Sequence, residues 1–89
     1  MSVLAIEGEL TIYRALQLKA ELLAALAGGS ELELDLSQVT EMDSAGVQLL
    51  LVALREASSA GKPLRVTGRS QAVAEVLHLC GLDAFAAVH

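Results

Sequence analysis

Polar and apolar residues alternate strictly from Glu31 to Leu36. Glu31, Glu33 and Asp35 fall on one side, and Leu32, Leu34 and Leu36 on the other. That two-residue period predicts a β-strand with one buried and one wet face, because a strand covered on both faces reads as continuously apolar. Leu64-Arg65-Val66-Thr67 repeats the pattern and turns Arg65 outward, towards the outward acids. A surface ion pair there is worth only about 0–1 kcal/mol. Val3 to Glu7 and Glu9 to Ile12 alternate around Gly8, which predicts two short strands or one interrupted hairpin.

From Tyr13 the period lengthens. Ala15, Leu18, Leu22 and Leu26 share one helical stripe, with Arg14, Gln17 and Glu21 away from it, and Gly28-Gly29 stops the helix. Ser44 to Ser59 predicts a central helix with a core stripe of Val47, Leu50, Leu51 and Leu54, ended by Gly61-Lys62-Pro63. Ser70 reads as the N-cap of a last helix. Its stripe is Val73, Val76, Leu77 and Cys80, with Gly81 at the C′ position and Leu82 behind it. The expected order is β-β-α-β-α-β-α. It gives a single α/β domain over residues 1–89, built on a small mixed sheet of about four strands with helices mainly on one face.

Composition narrows what such a domain does. The core has to be aliphatic, since Tyr13 and Phe85 are the only aromatic residues. A net charge of −5 and so few stacking platforms exclude nucleic acid as the expected partner. Eight of the eleven acidic residues lie at or before Asp43, while Arg55, Lys62, Arg65 and Arg69 follow it, which hints at two differently charged surfaces. A single cysteine, Cys80, has no internal partner and is expected to be a buried, inert thiol in a reducing compartment. The N-terminus lacks a signal-peptide pattern, and Val47 to Leu54 is too short to span a bilayer. The expectation is a cytoplasmic domain with no direct membrane insertion.

The segment Asp43-Ser44-Ala45-Gly46 carries the candidate chemistry. It joins the end of a strand to the start of a helix, among unpaired N–H groups and the positive end of the helix dipole. Asp43 and Ser44 are both favoured N-caps, and a phosphoryl group on Ser44 suits the same place. Catalysis finds no support. A nucleophile elbow needs glycine two residues before the serine, and position 42 is methionine. His78 and His89 lie far along the chain, so no base is placed beside Ser44, and two isolated histidines with one cysteine give no metal-ligand spacing. No Gly-rich phosphate loop with its lysine is present, so neither a nucleotide nor another cofactor is expected.

The central helix has more apolar surface than one stripe explains. Ala45, Leu49, Val52 and Ala53 lie roughly opposite the stripe, broken only by Glu56. This strip is either a contact with a neighbouring helix or an exposed docking patch. With Leu49 and Val52 joined to the surface around Ser44, the candidate partner-binding set is Asp43, Ser44, Ala45, Gly46, Gln48, Leu49 and Val52.

Together these pieces resemble the STAS domain of sulphate transporters and anti-sigma factor antagonists. Gly8-Glu9-Leu10 resembles its early Gly-Glu-Leu turn, and Leu34-Asp35-Leu36-Ser37 its Asp-Leu-Ser strand end. Met42-Asp43-Ser44-Ala45-Gly46-Val47 resembles its Asp-Ser-Ser-Gly-Leu segment, and Gly81-Leu82 its late Gly-Leu. The resemblance covers nearly the whole chain. It implies a bacterial, non-enzymatic partner-switching module of transcription regulation. In such antagonists the serine after the aspartate, here Ser44, is phosphorylated by a serine kinase that doubles as an anti-sigma factor. The family's second serine is Ala45 here. Other members imply alternatives: a subunit docked on the ATPase of a lipid-transporting ABC complex, or a scaffold beside chemotaxis or two-component systems. A fused transporter tail is not expected, because the chain starts at its first strand. Nothing in the pattern speaks to oligomeric state.

Overall fold

The computed structural model describes residues 2–28 and 31–81. Strand β1 (Ser2–Leu10) leads to helix α1 (Ala15–Gly28), then β2 (Leu32–Met42), α2 (Ser44–Ser59), β3 (Leu64–Arg69) and α3 (Gln71–Leu79). The described strands form one sheet in the order β1-β2-β3, and both pairings are parallel. The α/β class and the layering follow the sequence pattern. The strand count and the mixed pairing do not: the described strands are three and wholly parallel, where a mixed sheet of about four was expected, because the β1 region makes no antiparallel hairpin.

The difference lies at Gly8. The two short strands or hairpin expected there are one continuous strand, β1, paired parallel to β2 from Ser2↔Leu32 to Leu10↔Met42. Gly8 has φ +79, and the register shifts next to it, between Gly8 and Glu9, and again between Ala5 and Glu7. An irregular register disturbs the alternation locally, so a bulged strand reads as two. Arg14 Nη1 donates to the carbonyls of Glu7 at 2.5 Å and Glu9 at 3.0 Å, tying the loop before α1 back onto β1.

Both crossovers step the same way across the sheet. Parallel crossovers are overwhelmingly right-handed, which leaves their helices on one face. Burial agrees. Leu32, Leu34 and Leu36 of β2 and Leu64 and Val66 of β3 join one core with Ile6 and Leu10 of β1. Glu33 and Arg65 stand on the other face, 3.7 Å apart, as the pattern anticipated.

Helix α2 sits rotated from its expected seat. Its buried residues are Gly46, Val47, Leu49, Leu50, Ala53 and Ala57, whereas Leu51 and Leu54 are half-buried. Small residues let a helix approach its neighbours closely. The face chosen by packing is therefore richer in Gly and Ala than the face chosen by side-chain hydrophobicity. Beyond α2, Gly61 (φ +68) makes the turn, and Lys62 Nζ donates to Leu26 O at 2.5 Å, fixing the C-terminal end of α1.

Ser70 caps α3 as expected, its Oγ accepting from Val73 N at 3.2 Å, and Val73 and Leu77 are buried. Cys80 departs from expectation. It is exposed rather than buried, because α3 ends at Leu79 and Cys80 is the C-cap, with Gly81 (φ +71) turning the chain away. Leu82, Phe85 and His89 lie outside the described residues.

Candidate functional site

The site is assembled where the C-terminal ends of β1 and β2 meet the first turns of α1 and α2. Asp43 follows β2 in extended conformation (φ −121, ψ −173) and is the N-cap of α2. Its Oδ1 accepts from Ala45 N at 2.9 Å and Gly46 N at 3.1 Å. Its Oδ2 accepts from Ile12 N at 3.1 Å, across a separation of 31 residues. The backbone completes the knot: Asp43 N donates to Leu10 O, and Val47 N donates to Asp43 O. Donation from Ile12 N, aided by Gly46 and Ala45, holds the Asp43 carboxyl below its ordinary 3.8 against the desolvation that would raise it. It is an anion at neutral pH.

The cap is therefore Asp43 and not Ser44. Ser44 is the first residue of α2, exposed, and its hydroxyl makes no hydrogen bond among the described residues. Gly46 explains how the turn comes so close to the sheet. A Cβ there would run into Leu10 O and stand 3.1 Å from Leu10 Cγ and Met42 Cγ.

Beside Ser44 lies an open groove of about 350 Å³ between α1 and α2, lined by Ala15, Leu16, Lys19, Ala45, Gln48, Leu49 and Val52. Of the residues singled out from sequence, Ala45, Gln48, Leu49 and Val52 meet here, while Asp43, Ser44 and Gly46 form the turn at its upper end. The leftover strip of α2 turns out to be divided. Leu49 is only 5% exposed and belongs to the core, forming the groove floor rather than an open surface, because α1 packs alongside. Val52 is half-buried, and Gln48 is exposed at the rim.

Three apolar residues at the site escaped the pattern. Ile12, Tyr13 and Leu16 are 68%, 89% and 85% exposed, on the loop and first turn of α1. The signal was present. Leu16 lies off the Leu18-Leu22-Leu26 stripe, and Ile12-Tyr13 precedes the helix instead of opening it. Ile12 is fixed in place by the Asp43 carboxylate. Lys19, the one cation of the groove lining, was also not singled out.

His78 is exposed on α3, away from Ser44 in the sequence of elements. Among the described residues no group of His, Cys, Asp and Glu is placed to hold a metal ion, and no helix is long and apolar enough to cross a membrane.

The fold matches solved structures over 93% of the chain. One, described as "Structure of the Anti-Sigma Factor Antagonist SpoIIAA in its Unphosphorylated Form", is similar with a TM-score of 0.76 and 26% identity, over 75% of its own length. Another, "Structure of the Bacillus Cell Fate Determinant SpoIIAA in the Phosphorylated Form", shares the fold with a TM-score of 0.71 and 24% identity, over 78% of its length. A family model described as "Mlab, STAS domain" matches residues 1–88. The Gly8 register shift of β1, Asp35 within β2 and the Asp43–Gly46 turn thus stand in one architecture, and the chain belongs to the STAS domain family.

Proposed function

We propose that this STAS domain is a non-enzymatic regulatory module of the anti-sigma factor antagonist kind, which binds a serine kinase of the anti-sigma type and is switched by phosphorylation of Ser44. The observation that carries the reading is the exposed, unengaged Ser44 hydroxyl on a helix start that is already capped. A serine that merely capped would have its oxygen on the N–H groups of the first turn. Here Asp43 occupies them.

The same occupancy decides how a phosphoryl group would act. The N–H groups of Ala45 and Gly46 bond Asp43 Oδ1, and that of Val47 bonds Asp43 O. A phosphoryl group on Ser44 finds none of them open and stays outward. It adds about 1.5–2 negative charges next to an ionised carboxylate, on the rim of an apolar groove. The result is a desolvation cost and like-charge repulsion for an arriving partner, with the fold unchanged. Asp43, Ser44, Ala45, Gly46, Gln48, Leu49 and Val52 form the docking region in this reading, extended by Ile12, Tyr13 and Leu16.

The test is capture of partners from the native cell with wild type, Ser44→Ala and Ser44→Asp, followed by incubation of the captured kinase with ATP. Wild type and Ser44→Ala should retain a kinase that places phosphate on Ser44, seen by mass spectrometry, and Ser44→Asp should lose it. Equal capture by Ser44→Asp would sink the switch.

One residue favours a second reading. Ala45 stands where the family's antagonists carry their second serine, and it lines the groove, making that wall purely apolar. A permanent docking role on an ABC transporter ATPase uses such a wall without any kinase. In that case Ser44→Asp breaks assembly while Ser44 carries no phosphate in the cell.

A further inference from the structure

We infer that Asp43 is a positioning residue for recognition: its carboxylate holds the turn from Thr11 to Arg14, with the exposed Ile12 and Tyr13 side chains, in fixed relation to Ser44, and the partner that reaches Ser44 grips that turn. The inference rests on the proposed docking reading and adds what sets its geometry.

Three observations carry it. First, Arg14 N donates to Thr11 O at 3.0 Å, closing a four-residue turn with Ile12 and Tyr13 at its centre. Such positions usually take Gly, Pro, Asn, Asp or Ser. Here they hold a β-branched residue that is 68% exposed and a tyrosine that is 89% exposed. A break of local preference with no gain in core burial is expected at functional positions. Second, the base of the turn and its crown are held differently. Thr11 is buried, and Arg14 Nη1 donates to the carbonyls of Glu7 and Glu9, so both ends are tied to the end of β1. Among the described residues the crown has one hydrogen bond to another part of the fold, from Ile12 N to Asp43 Oδ2 at 3.1 Å. Third, the two oxygens of Asp43 divide the contacts. Oδ1 accepts from Ala45 N and Gly46 N and starts α2, whereas Oδ2 accepts from Ile12 N.

Capping alone does not call for the second oxygen, since Ser or Asn caps a helix as well as Asp. A carboxylate presents a further acceptor, and the structure spends it on Ile12. That N–H lies at the surface, where water is an alternative partner, so the bond sets the position of the turn more than it stabilises the fold. Ser44 follows Asp43 directly, and one residue thereby fixes the hydroxyl and the apolar turn against each other. A partner that takes Ile12 and Tyr13 into an apolar recess meets Ser44 in a set place, with less left to order on binding.

Two measurements on Asp43→Asn test this. The amide oxygen of the variant keeps Ala45 N and Gly46 N, while its NH₂ faces the Ile12 N–H, donor against donor. In amide exchange and nitrogen relaxation of the isolated chain, Ala45 and Gly46 should keep their wild-type behaviour. Ile12 should lose protection, and Tyr13 should become more mobile. Asp43→Ser, whose single hydroxyl caps α2, should do the same. The second measurement is a double-mutant cycle on affinity for the protein that wild type captures from the native cell, kinase or ATPase alike, once purified. Asp43→Asn should raise the dissociation constant about tenfold in the wild-type chain, but under about twofold in a chain already carrying Ile12→Ala and Tyr13→Ala. An equal effect in both backgrounds would mean that the carboxylate acts by itself, and it overturns the inference. So does an Ile12 amide that stays protected in both variants, or a released turn that binds at full affinity. A wild type that captures no protein overturns the recognition claim whatever the exchange shows. Failure of the switch is read separately: a captured protein that Ser44→Asp binds equally, or that leaves Ser44 without phosphate, sinks the switch, and the cycle still decides on Asp43.

Discussion

Gly46 places the whole site, and replacing it with alanine sets two known effects against each other. In an ordinary helix interior Gly→Ala gains about 1 kcal/mol from helix propensity. Here the new methyl group runs into Leu10 O and presses on Leu10 Cγ and Met42 Cγ at 3.1 Å. The two side chains have some freedom, since Met42 is only half-buried, but the oxygen does not. It belongs to the backbone of a β1 residue that is 0% exposed and paired with Met42 of β2, and it already accepts from Asp43 N. Overpacking of this kind costs about 1–3 kcal/mol, and an unyielding backbone contact belongs at the upper end. The first turn of a helix also realises less than the full propensity gain. The net expectation is a loss of about 2 kcal/mol, equivalent to a fall of about 8–16 °C in melting temperature for a domain of this size. Thermal melting followed by circular dichroism, with a urea titration beside it, measures the loss. Amide exchange at Ile12 locates it, because α2 can relieve the contact only by lifting Asp43 away from the Ile12 N–H. A melting temperature at or above wild type would refute the close approach and, with it, the placement of Ser44.

Other variants probe separate parts of the same site. Leu49→Ala should cost about 2–4 kcal/mol as a core truncation, and Val52→Ala under about 1 kcal/mol; equal losses in urea titrations would show that the groove floor is misplaced. Ser44→Ala should leave stability within about 0.5 kcal/mol of wild type, since its hydroxyl caps nothing; a larger loss would return the capping role to Ser44. Asp43 is held below its ordinary 3.8 chiefly by Ile12 N–H, and Asp35 by Ser37 through side-chain and backbone hydrogen bonds. A depressed folded-state value means stability that is complete above the unfolded value and lost as pH falls through the folded one. Unfolding titrations should therefore weaken below about pH 4, and Asp43→Asn should flatten that acid limb while lowering stability at neutral pH. An unchanged acid limb would mean that Asp43 is not held as described.

The parts of the fold that alternation could reach were legible beforehand. The first half of β2 read correctly because Leu32, Leu34 and Leu36 face one core and Glu33 and Asp35 do not, but the strand runs on to Met42, where strict alternation is lost. The Glu33–Arg65 pair followed from the same alternation. Reading failed where packing overrides composition. Gly8 breaks the period of β1 through a register shift, and such a shift looks like a turn in sequence. The seat of α2 is chosen by Gly46, Ala53 and Ala57, which score poorly on hydrophobicity but allow close approach. Cys80 fits the stripe of α3, yet the helix ends one residue earlier, so the stripe no longer predicts its burial. At the site, the turn was visible because capping is local chemistry. The placement of Ile12 beside it was not, because it depends on a hydrogen bond from Ile12 to a carboxylate 31 residues away.

The Asp43 cap, whose Oδ1 accepts from Ala45 N, also separates positions 44 and 45, which the sequence alone runs together. Ser44 is exposed and lies outside the groove lining, whereas Ala45 is half-buried and forms groove wall. A hydroxyl at position 45 would enter that wall and would need a partner there. Its own N–H is already held by Asp43 Oδ1, so the local backbone offers it no free donor. Alanine at 45 therefore changes the chemistry of the groove wall and leaves Ser44 exposed. The departure from the Ser-Ser pattern falls on the groove, and the proposed switch at Ser44 does not depend on it.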